Sequence, residues 1–164
     1  MLFARAVVAF LLLPGTVAYL VPLLLAPPAA DGALRWVGGA LVLSGSGLLL
    51  WCVRDFYVAG KGTLAPWSPP RHLVTVGLYR WSRNPMYVAV LVIVMGWTLW
   101  FASSTLLIYL LFLAIAFHLR ILVHEEPRLA LSFGEDWRAY RARVARWGPR
   151  PGFARRRTSP GNQR

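Results

Sequence analysis

Three groups of charged and aromatic residues stand out in an otherwise apolar chain, and each has the makings of a binding site. The first is Arg80, Arg83, Asn84 and Tyr87 around Pro85, at the start of an apolar run. Proline suits the first turn of a helix, where its missing N–H is not needed. A helix start offers free N–H groups and a positive dipole end to a carboxylate or phosphate. Ordinary anchoring of a membrane helix by interfacial Arg and Tyr explains the same residues. The second group is His118, Arg120, His124, Glu125 and Glu126. On a regular helix His118 and Glu125 share a face about two turns apart. Ionisable groups beside a membrane span are costly and by default point to function. The two adjacent carboxylates need cationic partners, which are either arginines in a structural network or a cationic ligand. The third group, Arg141, Arg143 and Arg146 with Tyr140 and Trp147, also suits an amphipathic helix on an anionic lipid surface. By itself it identifies no chemistry. The three histidines show no metal-ligand spacing, and no metal is expected.

The elements that must position these residues are membrane helices. The 164 residues are 57% apolar and only 15% charged, against about 25% charged in soluble domains. No Asp, Glu, Lys or Arg interrupts Ala6 to Ala30, Trp36 to Val53 or Pro85 to Leu119. A spanning helix takes roughly 20 apolar residues. The expected fold is therefore all-α, a polytopic membrane protein with about four transmembrane helices over residues 6–26, 36–53, 86–101 and 105–123. The first run also resembles a signal peptide, with Ala29, Ala30 and Ala33 near a cleavage position, but it is longer than a signal core of about 7 to 15 residues. A retained span is expected. The single cysteine, Cys52, lies in an apolar run and excludes a disulfide framework within one chain.

Between the second and third spans, Arg54 to Asn84 forms a polar, proline-containing cytoplasmic loop. Its embedded Trp67, Leu73, Val74, Leu78 and Tyr79 predict order, because a connection of this length is functional or disordered. Ala102, Ser103 and Ser104 predict a tight turn between spans three and four. Arg120 is placed to snorkel, and the fourth helix is expected to run on through Glu125 and Glu126 into a C-terminal amphipathic helix. Residues 1–150 form one membrane domain, and 151–164 a disordered basic tail. With four spans, all but Arg35 of the 18 Lys and Arg fall on one side. The positive-inside rule makes that side, with both termini, cytoplasmic. The same asymmetry explains the net charge of +12 without nucleic acid, for which no reader motif exists.

Taken together the groups are more specific than apart. Gly77-Leu-Tyr-Arg-Trp-Ser-Arg-Asn-Pro-Met-Tyr87, a helical hairpin, Glu125-Glu126-Pro-Arg-Leu129, Phe133-Gly-Glu135, Tyr140 and Arg146-Trp-Gly-Pro149 follow in order. This string resembles the isoprenylcysteine carboxyl methyltransferase family and the wider group that includes the phospholipid methyltransferases. The resemblance covers about Lys61 to Arg150. It implies a membrane methyltransferase using S-adenosyl-L-methionine, with Arg83, Asn84, Pro85, Tyr87, Glu125 and Glu126 building the cofactor pocket. Gly45-Ser-Gly47 matches a Gly-x-Gly of the phospholipid members, although close helix packing explains it equally. Asn84, Ala89 and Trp137 depart from the usual His, Gly and Tyr.

The residue chemistry agrees with that implication. Glu125 and Glu126 suit the cofactor's ammonium or ribose hydroxyls, Arg83 or the helix start at Pro85 suits its carboxylate, and Tyr87, Tyr79 or Trp147 suits its sulfonium or adenine. His118 completes the expected cofactor set. Arg83, Glu125 and Arg146 are the candidates for catalysis, with Arg146 orienting an anionic acceptor. Methyl transfer is an in-line displacement in which alignment is the main requirement. The acceptor is expected to be a lipophilic or small apolar carboxylate, amine or thiol, entering between spans past Ala89 and Ala116. Arg-over-Lys usage with abundant Ala and Gly points to a GC-rich bacterium and its cell membrane. A non-enzymatic protein binding lipids or a partner on the same fold is the alternative.

Overall fold

The computed structural model describes residues 11–28, 32–60 and 72–149, and every regular element among them is helical. Helix α1 opens as a wide π-wound segment, Leu11–Leu20, and tightens into Val21–Leu25. Its winding reflects Pro14 within it and Pro22 after it. Pro22 has no N–H to give to Ala18, four residues back, or Val17, five back. Both carbonyls are satisfied from other helices: Trp97 Nε1 donates to Ala18 O and Tyr109 Oη to Val17 O, each at 3.0 Å. Membrane helices tolerate proline when neighbours re-satisfy the freed carbonyls in this way.

Helix α2 is Ala33–Gly60 and helix α3 is Pro85–Phe101. They pack closely because glycines face each other. A Cβ on Gly38 would lie 2.6 Å from Gly96 O, and one on Gly96 2.7 Å from Gly38 O. Small residues let membrane helices approach in this manner. Gly45 belongs to the same seam, since its Cβ would stand 2.8 Å from Ile93, whereas Gly47 meets nothing within 4 Å.

The expected tight turn is present. Ala102 closes α3 in the left-handed conformation, and Ser103 Oγ accepts from Leu106 N at 3.3 Å to cap α4, Ser104–Arg120. The rod continues past the apolar stretch through a π turn, Ile121–Glu125, into α5, Glu126–Arg143, which bends at Gly134 (φ +48°). Pro127 accounts for the wide turn, since a proline ring clashes with the carbonyl four residues earlier.

Two helical stretches, Ala33–Asp55 and Ser104–Arg143, are long and apolar enough to cross a membrane. Pro14–Leu25 and Pro85–Phe101 are apolar but shorter. Two of the four expected spans thus reach crossing length among the described residues. The start of the first span, the whole Lys61–Arg71 stretch of the loop with Trp67, and the 151–164 tail lie outside the described residues. The core runs between α1, α2, α3 and α4 around Leu49, Val90, Ile93 and Leu110. Ala89, expected on the lipid face, is fully buried in it, because that side of α3 turns toward the bundle.

The described part of the polar loop is ordered by two smaller cores. Val74 and Tyr79 pack with Cys52 at the end of α2, and Leu73 packs with Trp137, Tyr140 and Val144 of the C-terminal region. Gly77, at φ +55°, has no room for a side chain because Asp55 Oδ2 would lie 1.9 Å from its Cβ. That contact sets the short 3-10 turn Gly77–Arg80 against α2.

Candidate functional site

The loop after the 3-10 turn and the segment after α5 are tied together first through the backbone. Arg83 N donates to Ala145 O at 2.9 Å. Ser82 Oγ and Asn84 Nδ2 donate to the Arg146 carbonyl at 3.0 and 3.2 Å. Tyr140 Oη donates to the Tyr79 carbonyl at 2.7 Å. These bonds bring the foot of α3 against residues more than fifty positions later in the chain. They also spend the Asn84 side chain on the Arg146 backbone rather than on capping α3.

Glu126, on the first turn of α5, sits at the centre of what this clamp assembles. Arg83 Nη1 reaches its Oε1 at 2.9 Å, while Arg146 grips both oxygens, Nε to Oε1 at 2.8 Å and Nη2 to Oε2 at 3.0 Å. The Glu126 side chain is 10% exposed and that of Arg83 8%. Burial alone would raise the Glu126 carboxyl, but hydrogen bonds from Arg146 and the charge of Arg83 outweigh it and hold the group below the usual carboxylate range. Arg83 in turn lies over the Trp137 ring, 5.4 Å from its centroid. Two guanidiniums on one carboxylate leave a positive surplus, and the buried Arg83 Nε has no hydrogen-bond partner among the described residues.

Glu125 faces a second group. Its Oε1 accepts from Tyr87 Oη in a short contact and from Arg120 Nε at 3.1 Å, and Arg120 Nε also lies 3.1 Å from Tyr87 Oη. Arg120 is therefore a bridge between α3 and the π turn. The Tyr87 ring packs on Phe117, with centroids 4.3 Å apart. Glu125 is more open than Glu126, its side chain 31% exposed.

His118 goes elsewhere. It stacks on Trp147 at 6.0 Å and accepts a hydrogen bond from Trp147 Nε1 at its Nδ1, at 3.3 Å. The π turn interrupts the regular register on which a shared His118–Glu125 face rested, and the two side chains take different partners. Such wide turns recur at functional sites.

Of the sequence-predicted residues, Arg83, Asn84, Tyr87, Glu125, Glu126 and Arg146 converge at one end of the bundle. Pro85 is buried at the first position of α3, and Tyr79 is buried with Cys52 and Val74. Gly45-Ser-Gly47 is not among the partners of this cluster; Gly45 serves helix packing against Ile93, and Ser46 Oγ lies 2.6 Å from Tyr19 Oη. Sequence reasoning missed Ser82 and the buried Asp55, whose Oδ2 has no partner among the described residues. It took Trp137 only as a departure from a motif, when that ring carries Arg83. A lone acid at the end of an apolar run was the available signal for Asp55, and nothing in the spacing singled out Ser82.

The phospholipid methyltransferase family matches residues 33–136, well over half of the chain. The chain belongs to that family. Membership places it among membrane methyltransferases in general. An uncharacterized protein of Haemophilus influenzae is 31% identical over 62 residues, 38% of this chain and 98% of that relative. No solved structure matches. Tyr140, Arg146 and Trp147, which complete the cluster, lie beyond the matched segment.

Proposed function

We propose that the protein is a membrane-embedded methyltransferase that takes its methyl group from S-adenosyl-L-methionine and passes it to a lipophilic or small apolar acceptor. The observation that carries this reading is the convergence of the Arg83 turn, Glu125–Glu126 and Arg146–Trp147 at one end of the bundle, with surplus guanidinium charge and a buried, unpartnered Arg83 Nε. Buried polar groups are nearly always paired, so an orphaned guanidinium N–H beside a positive surplus suits an anionic ligand group such as the cofactor's carboxylate. Glu125 is open enough for the ammonium or the ribose hydroxyls, and Tyr87 and Trp147 offer ring faces for the sulfonium or adenine.

When bound, the cofactor supplies an electrophilic methyl group. The chain's own residues bind and align. In this reading Glu126 holds Arg83 and Arg146 in place and does not itself take the cofactor's ammonium, because both its oxygens are already occupied. Asn84 and Ser82 fix the backbone that presents Arg146. The alternative, a non-enzymatic protein on the same fold, draws support from that same occupation, since a purely structural network would look alike at Glu126.

Binding of S-adenosylhomocysteine to the purified protein separates the two readings. Micromolar binding supports the methyltransferase, and absence of binding with the fold intact overturns it. Incubating membranes with labelled cofactor and isolating the labelled product then identifies the acceptor. The proposal extends to four spans in a bacterial cell membrane with both termini cytoplasmic. Reporter fusions at Thr158 and near Gly32 should give cytoplasmic and external signals, and an external signal at Thr158 would sink that topology.

A further inference from the structure

Arg83 is held in three ways. Its backbone N donates to Ala145 O at 2.9 Å, and its Nη1 donates to Glu126 Oε1 at the same distance. Its guanidinium carbon stands 5.4 Å from the centre of the Trp137 ring. A guanidinium pinned at one end and covered on one face cannot turn about its stem. The Nε edge therefore keeps one direction, and no described residue accepts a hydrogen bond there. The ring that covers the face is itself fixed. Trp137 is 3% exposed and packs with Tyr140 and Val144, and the Tyr140 hydroxyl is tied to the Tyr79 carbonyl at 2.7 Å.

Leucine could fill a core at this position, so packing alone does not call for an indole. Electrostatics does. Burial, together with the charges of Arg146 and Arg141, holds the Arg83 guanidinium below its usual range despite the Glu126 carboxylate. An indole face attracts a cation more strongly than any other aromatic ring. It compensates part of that charge without taking up an N–H. A second carboxylate from the chain would have neutralised Arg83 by consuming the Nε edge. The ring stabilises the cation and leaves its free donor free.

We infer that Trp137 is a positioning residue: it holds Arg83 by the face so that the Nε–H meets the carboxylate of the bound cofactor, and the site selects for that carboxylate. The inference rests on the methyltransferase reading and deepens it with a residue that acts through Arg83 rather than on the ligand.

The test uses the full chain, purified in detergent, with progressively fluorinated tryptophans introduced at position 137 alone. Ring fluorine withdraws charge from the face and leaves the shape, and so the packing, nearly unchanged. S-adenosylhomocysteine and its decarboxylated analogue are titrated in parallel. Across the series the affinity for S-adenosylhomocysteine should fall about tenfold, and that for the analogue should stay within about twofold. Trp137→Leu should show the same selective loss, and Trp137→Phe should fall between it and the wild type. A second readout needs no ligand. Exchange of the Arg83 Nε–H with water, followed by NMR in arginine-labelled protein and assigned with Arg83→Lys, should quicken as fluorine is added. Equal weakening of both compounds, unchanged affinity for both, or an exchange rate indifferent to fluorine makes Trp137 a packing residue and overturns the inference. A wild-type chain that binds neither compound, while the exchange rate still follows fluorination, instead overturns the methyltransferase reading and leaves Trp137 as the residue that positions Arg83.

Discussion

The two ends of the helix bundle use buried polar groups in opposite ways. At the end where α1 meets α3 and α4, Trp97 and Tyr109 donate to Ala18 O and Val17 O, and Tyr19 meets Ser46. Two of those three contacts repair backbone groups that Pro22 left unpaired. At the other end Arg83, Glu126 and Arg146, and separately Tyr87, Glu125 and Arg120, bind one another side chain to side chain. There the positive groups exceed the negative ones, and Arg83 Nε and Asp55 Oδ2 have no partners among the described residues. The first end is explained by the fold. The second holds more charge than the fold needs, and unfilled hydrogen-bonding capacity in a buried place is what a ligand completes.

The sharpest way to break this comparison is Glu126→Gln. Removing the charge from a buried, hydrogen-bonded pair leaves two guanidiniums uncompensated, and such breaks cost about 3 to 5 kcal/mol. Chemical or thermal unfolding in detergent should show a loss of that order, larger than any single change at the opposite end. A loss below about 1 kcal/mol would mean that water or ligand groups already share the load of Arg83 and Arg146.

The same carboxylate predicts a pH dependence. Its folded pKa is lowered from the ordinary 4.5, so the stability it contributes is fully present above that value. It is lost as pH falls through the lower folded value. Wild-type stability should therefore drop on acidification below about pH 4.5, and Glu126→Gln should flatten that part of the profile. A profile of the same steepness in the variant would assign the acid sensitivity to other groups.

Glu125→Gln should separate function from folding. Its side chain is about a third exposed and Arg120 more so, so screening by solvent limits the cost to stability to about 1 kcal/mol or less. The affinity for S-adenosylhomocysteine should fall about tenfold, which is 1.4 kcal/mol. Affinity within twofold of wild type would remove Glu125 from the binding set and leave Tyr87–Glu125–Arg120 as a helix clamp.

The unequal legibility of the two ends has a physical cause. Charge-free runs and the Ala102–Ser103 turn gave away the helices, because bilayer length and turn stereochemistry act locally. Arg83, Tyr87, Glu125, Glu126 and Arg146 were legible as chemistry through their charge in an apolar chain. What spacing could not give was partner choice. His118 and Glu125 read as one face only on an ideal helix, and Pro127 widens the turn between them. Ser82 and Trp137 act through contacts spanning more than fifty residues, which no local pattern encodes. Ala89 was misplaced because α3 is apolar on every side, so its sequence does not say which face meets lipid.

The smallest expected effect belongs to the end that the fold explains. Trp97→Phe keeps an aromatic ring beside Tyr19 and Phe101 but deletes the indole N–H that reaches Ala18 O. A neutral hydrogen bond of this kind contributes about 0.5 to 1.5 kcal/mol net, and an abandoned buried carbonyl costs somewhat more. The loss should be near the low end, because neighbouring helices in a membrane offer a broken backbone alternative donors. Stability in detergent should therefore fall by about 1 kcal/mol, with S-adenosylhomocysteine affinity unchanged, since no bond links Trp97 to Arg83, Glu125 or Glu126. Tyr109→Phe should behave alike at Val17 O, and the two losses should not simply add, because adjacent carbonyls of one broken turn share the strain. A Trp97→Phe variant that folds normally yet loses cofactor affinity would couple the two ends of the bundle and remove the distinction drawn between them.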